Sequence, residues 1–213
     1  MEFQRARSEE QKEHRVSEIV GATARLYRKY RFEDISFAMI AKEARFTRSN
    51  LYKYFSSKEE IFLAFLKQDI IHWRKDLLRT YGRRKIRSVK TFASTWVEIL
   101  SRHRRLLDLA SILHSFLEKN VTEDTLVDFK GSVSSELRVI SELLCKMFPN
   151  LTQEKAEMFL ELQIASAIGL YQITNLSDLQ RKVLEYPEFQ HMKVDFETYM
   201  RKAVECLLQG LMK

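Results

Sequence analysis

Glycine and proline are scarce in this chain, with five glycines and two prolines among 213 residues. No segment alternates apolar and polar residues as a half-buried strand would, and Leu, Glu, Lys, Arg and Ala dominate long stretches. Both features exclude a β-rich architecture, so the fold class is read as all-α. Catalytic signatures are missing as well: there is no G-x-S-x-G, Gly-rich phosphate loop, H-E-x-x-H or C-x-x-C. The histidines (His14, His72, His103, His114 and His191) are scattered with no i, i+4 pair. The expectation is a protein that is not an enzyme and holds neither a metal nor a cofactor. The two cysteines, Cys145 and Cys206, lack ligand-spaced partners and read as reduced core residues of a cytoplasmic protein. The longest uncharged run, Leu162 to Ser177, is 16 residues and includes Gln, Thr and Asn. A bilayer span needs ~20 apolar residues. The first residues, MEFQRARSEEQKEHR, are charged throughout and read as no secretory segment, so a soluble protein is expected.

What the chain does contain is organised around Ser36 to Phe55, SFAMIAKEARFTRSNLYKYF. Phe37, Ile40, Ala41 and Ala44 fall at i, i+3, i+4 and i+7, the apolar stripe of a short helix that Ser36 is placed to cap. Arg45 and Phe46 break the pattern, and Thr47 can cap a second helix running to about Phe55. Leu51 and Phe55 face inward on it, while Arg48, Ser49, Tyr52 and Lys53 face outward. Two short helices joined by a tight turn, the second with a basic and hydroxyl-rich face, form a helix-turn-helix suited to reading DNA. Charge points the same way. The formal charge is +7, and residues 1–58 hold 13 Lys/Arg against 8 Asp/Glu, while the remainder holds 23 against 21. A basic N-terminal region suits a phosphate backbone.

The stretch IAKEARFTRSNLYKYFSSKEEIF resembles the TetR family of bacterial transcriptional regulators. That family's signature runs roughly I-A-x-x-A-G-V-[ST]-x-x-x-[LI]-Y-x-[HY]-F-x-x-K-E-x-[LI]. Ile40, Ala41, Ala44, Thr47, Leu51, Tyr52, Tyr54, Phe55, Lys58, Glu59 and Ile61 match it. The resemblance spans roughly residues 8 to 75. It departs at Arg45, which stands at the usual turn glycine. Either the turn avoids positive φ there, or Arg45 is held in strain. Arg31 and Ser49 likewise replace frequent glycines. By position, the resemblance implies phosphate contacts from Thr47, Tyr52, Tyr54 and Lys58, with Ser36 among the expected DNA-contact residues. Arg48 and Ser49, in the first turn of the reader helix, are placed to reach base edges, and Lys53 to do either.

Other boundaries follow from caps and stripes. Ser8-Glu9-Glu10-Gln11 reads as a capping box opening the first helix, with Val16, Ile19, Val20, Thr23, Leu26, Tyr27 and Tyr30 as its buried stripe. Arg5 and Arg7 precede it as a short basic arm or a disordered terminus. Ser57-Lys58-Glu59-Glu60 is a second capping box, opening a long helix to about Thr80. The expected division is a DNA-binding domain over 1–56 and an effector-binding and dimerisation domain over 57–213. Arg83 to Lys90 is a basic break, read as a solvated loop or an anion site. Helices over about 152–175 and 195–212 are apolar on more than one side. The resemblance implies that such a pair from each of two subunits forms a homodimer interface. Between them, Leu176 to Lys193 reads as a loop with one helical turn.

Trp73, Phe92, Trp96, Phe116, Phe129 and Tyr171 are the candidate lining of an effector pocket, each weighed against a role as core filler. The basic break suggests an anionic effector such as an acyl thioester carrying phosphates, and the aromatics suggest a planar hydrophobe. The expected function is a TetR-like homodimeric regulator, a repressor released from a palindromic operator by a small molecule. Its rival is a DNA-bound adaptor controlled by a protein partner.

Overall fold

The computed structural model of the chain describes residues 2–82 and 88–213, with side chains from Glu10 onward. The described residues hold ten α-helices and two short 3-10 helices, with no strand. The basic residues Arg83, Arg84, Lys85 and Arg87 of the proposed anion site lie outside the described residues.

The chain forms two compact units, the first comprising Met1–Gln68 and Leu113–Lys130, the second Asp69–Ile112 and Gly131–Lys213. A cut at residues 56 and 57 marks where a helix begins, whereas the first unit runs further and takes in a later segment as well. Sequence spacing shows no sign of that return, because it depends on long-range packing.

In the first unit, α1 spans Glu2–Tyr27, α2 Phe37–Glu43 and α3 Arg48–Leu51. Helix α1 begins six residues before the expected cap at Ser8. Residues 2–15 contain no Gly or Pro, so nothing stops the helix there and Ser8 sits in its interior. Ile19, Val20, Ala22, Thr23 and Leu26 form its buried stripe, but Tyr30 lies beyond the helix end and is exposed. Ser36 caps α2 by accepting from the Met39 N–H at 3.2 Å, and Thr47 caps α3 by accepting from the Asn50 N–H at 3.1 Å. Regular helix ends at Leu51 rather than Phe55. A turn carries on the bonding, with the Tyr52 N–H donating to the Arg48 carbonyl and the Phe55 N–H to the Leu51 carbonyl, each at 3.1 Å.

The long helix α4 spans Lys58–Tyr81. Only half of its expected capping box forms. Ser57 Oγ accepts from the Glu60 N–H at 3.2 Å, but the Glu60 carboxylate takes the N–H of Ser56 at 2.7 Å and the hydroxyl of Thr125 at 3.2 Å. The returning segment therefore satisfies a buried acid at the start of α4, as burial of a charge demands. Phe32, Phe62 and Tyr27 pack edge-on nearby, with Phe32 and Phe62 centroids 4.9 Å apart.

The second unit holds α5 (Val89–Arg102), α6 (Arg104–Ser111), α8 (Gln153–Thr174), α9 (Asp178–Val183) and α10 (Phe196–Leu211). It also takes in the later part of α7 (Glu123–Met147). Helix α10 packs on α5 and α8, and α6 on α8. Residues 176–193, read from sequence as a loop with one turn, hold α9 and a 3-10 helix over Pro187–Met192. A complete capping box at Ser177 and Gln180 starts α9. Helix α8 buries Phe159, Leu160, Gln163 and Ala167. Of its other apolar positions, Met158, Leu162, Ala165, Gly169 and Ile173 are exposed, and Ile164, Ile168 and Leu170 are half-buried. Cys206 on α10 is exposed and Cys145 half-buried, so neither is the core residue their apolar helices suggested. Among the described residues, no helix is long and apolar enough to cross a membrane.

Candidate nucleic-acid interface and effector pocket

The turn between α2 and α3 is closed by hydrogen bonds from the Arg45 N–H to the Lys42 carbonyl and from the Phe46 N–H to the Ala41 carbonyl. Arg45 has φ 61°, the one positive φ among the described residues. The turn thus keeps the conformation that a glycine would adopt freely, and the Arg45 Cβ is crowded there. Of the two outcomes left open by the sequence, the strained arginine is the one observed. Ile40, Ala41 and Leu51 are buried on the inner faces, which fixes α3 against α2. Arg25 of α1 donates from Nε to Glu43 of α2 at 2.6 Å and holds that carboxyl below the usual range.

On this scaffold Thr47, Arg48, Ser49, Tyr52 and Lys53 are all exposed. The Tyr52 ring lies 4.6 Å from Phe37 at 31°, so its phenol is held by a ring contact and not left to swing. Tyr54 is half-buried with its ring edge-on to Phe46, 6.0 Å between centroids. The hydroxyls of Ser36 and Thr47 already accept from backbone N–H groups, but each keeps its own proton to donate.

Lys58 is employed differently from the expectation. Its ammonium donates to the carbonyls of Phe32 and Ile35, both at 2.9 Å, and lies 4.3 Å from the Phe32 ring centroid. The Phe32 carbonyl also accepts from the Ile35 N–H at 3.3 Å within the turn between α1 and α2, and Lys58 joins that carbonyl to the one of Ile35. Its charge is therefore turned inward to hold the loop, a structural role that the expected phosphate contact does not include.

The sequence reading missed a groove of about 620 Å³ in which Lys12, His14 and Arg15 of α1 join Lys53 and Tyr54. These α1 residues lie outside the recognisable motif, and only the packing of α1 beside the reader brings them together. Arg15 is paired with Glu18 at 2.8 Å and lies 5.7 Å from the Phe46 ring centroid.

The six candidate effector residues are divided between the two units. Trp73, Phe92 and Trp96 belong to a filled aromatic core with Tyr81, Phe148 and Phe159; Trp73 and Trp96 meet edge-on at 5.5 Å and Trp96 and Phe159 at 5.6 Å. Trp96 is fully buried and donates from Nε1 to the buried Gln163 at 3.1 Å. Phe116 and Phe129 belong to the other unit, the first 46% exposed and the second buried. Large aromatic rings fill a core more readily than they wall a cavity, which is why their spacing misled.

Tyr171 lines a pocket of about 300 Å³ in the second unit. Leu107, Val194 and Phe196 are its apolar walls, with Ser101, Arg104, Thr174 and Asn175 around them and Asp195 and Glu197 at the start of α10. Burial first, and then the Asp108 carboxylate, push the Tyr171 phenol up to about 12, so it stays neutral; Arg104 opposes the shift. The phenol oxygen accepts from the Asn175 amide at 3.2 Å. Asp195 caps α10 by accepting from the Thr198 N–H at 2.8 Å, and Thr198 holds its carboxyl low. This donor-rich, partly apolar lining matches no catalytic arrangement, but it does suit an amphiphilic small molecule.

No curated protein matches the chain. Among solved structures it is similar to the FadR of Thermus thermophilus, a TetR-family transcriptional repressor solved in complex with lauroyl-CoA. That match has 18% identity and a TM-score of 0.63, over 92% of this chain and 94% of that one. It is also similar to the fatty acid degradation regulator FadR of Bacillus halodurans, at 13% identity and a TM-score of 0.59, over 92% and 96%. At such identities these likenesses show the fold. Family models reach further: the one for bacterial regulatory proteins of the tetR family matches residues 19–65, and the one for the tetracyclin repressor-like C-terminal domain matches residues 67–213. With its helix-turn-helix turn, its exposed reader helix and both family models in register along it, the chain belongs to the TetR family and is a transcriptional regulator.

Proposed function

We infer that this regulator is a repressor that binds a palindromic operator as a homodimer and leaves it when a small molecule binds the second unit. The observation that carries the DNA reading is the outward face of α3. Arg48, Ser49, Tyr52 and Lys53 are exposed together, while Leu51 behind them is fully buried. Arg48 in the first turn is assigned to base edges, where a guanidinium bonds guanine O6 and N7 in two places. Thr47, Ser36, Tyr52, Tyr54 and Lys53 are assigned to phosphates, joined by Lys12 and Arg15 along the α1 groove. Two reader helices engage successive major grooves when ~34–36 Å apart, so the reading requires a dimer.

The dimer is assigned to α8 and α10. Met158, Leu162, Ala165, Gly169 and Ile173 recur along α8 at helical spacing and are all exposed, and Tyr199, Cys206 and Gly210 do the same on α10. Because α8 and α10 pack side by side, the two stripes make one apolar surface with small residues where a second copy can approach closely. The effector is assigned to the pocket around Tyr171 and Arg104. The lauroyl-CoA held by the Thermus FadR supports acyl-CoAs as the first class to test, with Leu107, Val194 and Phe196 as apolar walls for an acyl chain and Arg104 as the cation beside the Asp195 and Glu197 carboxylates.

The test begins by selecting duplexes from a random library with the purified protein. A palindromic consensus is expected. Arg48→Ala should relax preference at one or two positions in each half-site, while Tyr52→Ala should weaken all sequences alike and flatten the salt dependence of binding. An unchanged consensus with Arg48→Ala would remove α3 from base reading.

A further inference from the structure

Residues 175–199 contain no buried side chain, although the segment is built as α9 and the 3-10 helix over Pro187–Met192. Local bonds give it shape: the capping box at Ser177, Arg181 Nη1 donating to the Leu176 carbonyl at 2.6 Å, and Lys193 paired with Glu185 at 3.1 Å. Along it, Leu179, Val183, Tyr186, Phe189 and Met192 are between 37% and 72% exposed. They are not scattered. Leu179 and Val183 share one face of α9 at i, i+4. Tyr186, Phe189 and Met192 follow at intervals of three, which in a 3-10 helix stacks side chains on one side. Ordering such a length of chain costs conformational entropy that no core of its own offsets. Five large apolar side chains in one short excursion exceed the scattered exposure normal for a monomer surface.

We propose that residues 176–193 form an arm that packs its apolar stripe against a second copy of this chain, extending the homodimer surface of α8 and α10. The proposal rests on the homodimer reading above and names the part of the partner contact which that reading leaves out. Two observations select the occupant. The arm leaves from the end of α8 and returns into α10, so its apolar residues stand in the chain between the exposed Ile173 of one proposed interface helix and the exposed Tyr199 of the other. Its charges also balance: Arg181, Lys182 and Lys193 stand against Asp178, Glu185 and Glu188, interspersed along the segment. A neutral surface of alternating sign can complement itself across a two-fold axis. A nucleic acid or an anionic membrane would call for a net basic arm.

The experiment compares the wild type with a triple variant, Leu179→Glu, Phe189→Glu and Met192→Glu, by sedimentation equilibrium, with circular dichroism to check helical content. A second variant carries a photo-crosslinking phenylalanine at Phe189. The expected result is a dimer dissociation constant raised at least tenfold in the triple variant at unchanged helicity, with crosslinks from position 189 to a second copy. An unchanged dissociation constant without crosslinks between copies would overturn the arm while leaving the α8 and α10 interface standing. A wild type that stays monomeric throughout would overturn both. Crosslinks from position 189 only to duplex DNA or to lipid vesicles, added in parallel, would also overturn it.

Discussion

Lys58 shows how one side chain can satisfy a family pattern for a reason other than the one the pattern suggests. By position, a lysine three residues after Phe55 reads as a phosphate contact. In the folded chain its ammonium is bonded to two carbonyls of the loop before α2, both at 2.9 Å. Hydrogen bonds to a charged group contribute about 1.5–3 kcal/mol each, and leaving a buried acceptor unpaired carries a similar cost. Lys58→Met should therefore destabilise the protein by about 2–3 kcal/mol, measured by urea unfolding, and should leave the salt slope of DNA binding unchanged at temperatures where the variant is folded. A slope lower by one charge at unaltered stability would return Lys58 to the phosphate contacts. Arg45 shows the reverse case. Its departure from glycine left the turn ambiguous in sequence, and the backbone resolves it by keeping φ 61°. The hydrogen bonds closing the turn and the burial of Ile40 and Leu51 on either side outweigh the roughly 1–2 kcal/mol of crowding at one residue.

Among the elements, α8 separates what periodicity can show from what it cannot. Its composition marks it as apolar on two sides, and burial then divides those sides. Phe159, Leu160 and Ala167 face the protomer core, while Ala165 and Gly169 lie on the open side. A Cβ placed on Gly169 meets nothing within 4 Å, so a large side chain fits there in a single copy. Gly169→Trp should accordingly keep its helical spectrum and melting behaviour as a monomer, yet fail to dimerise and lose operator binding. Ultracentrifugation showing an intact dimer would put the interface on another face. The same reasoning explains the misplaced effector residues. The stripe Phe92 and Trp96 on α5 identifies an inward face correctly, but inward means core here, where the neighbouring rings fill the space.

For the whole molecule, reader and sensor are separate compact units, and helix α4 contributes residues to both. A ligand in the second unit releases DNA only to the extent that it prefers the released state, so a tight ligand with equal affinity for both states would do nothing. If the pocket of Tyr171 and Arg104 is the sensor, an acyl-CoA should lower operator affinity in fluorescence anisotropy while free coenzyme A does not, and Arg104→Ala should reduce that response several-fold without altering DNA binding in its absence. Release that persists fully in Arg104→Ala would move the effector to a different site. The pocket is framed by Thr174 and Asn175 at the end of α8 and by Val194 and Asp195 before α10, the two roots of the exposed arm. Its occupant would therefore touch both ends of the segment proposed to hold the partner.

The sequence by itself determined the all-α class, the helix-turn-helix and its caps at Ser36 and Thr47, and the family. These depend on neighbours within a few residues: a hydroxyl three positions before a free N–H, an apolar residue every third or fourth place. Only the tertiary structure decided that Lys58 supports a loop, that Glu60 is satisfied by Thr125 from a distant segment, and that Tyr171 borders a cavity. It also decided that residues 176–193 are folded and uncovered. Each of those depends on which parts of the chain meet across tens of residues. Local spacing reports which face of a helix turns inward, and carries no record of what waits there.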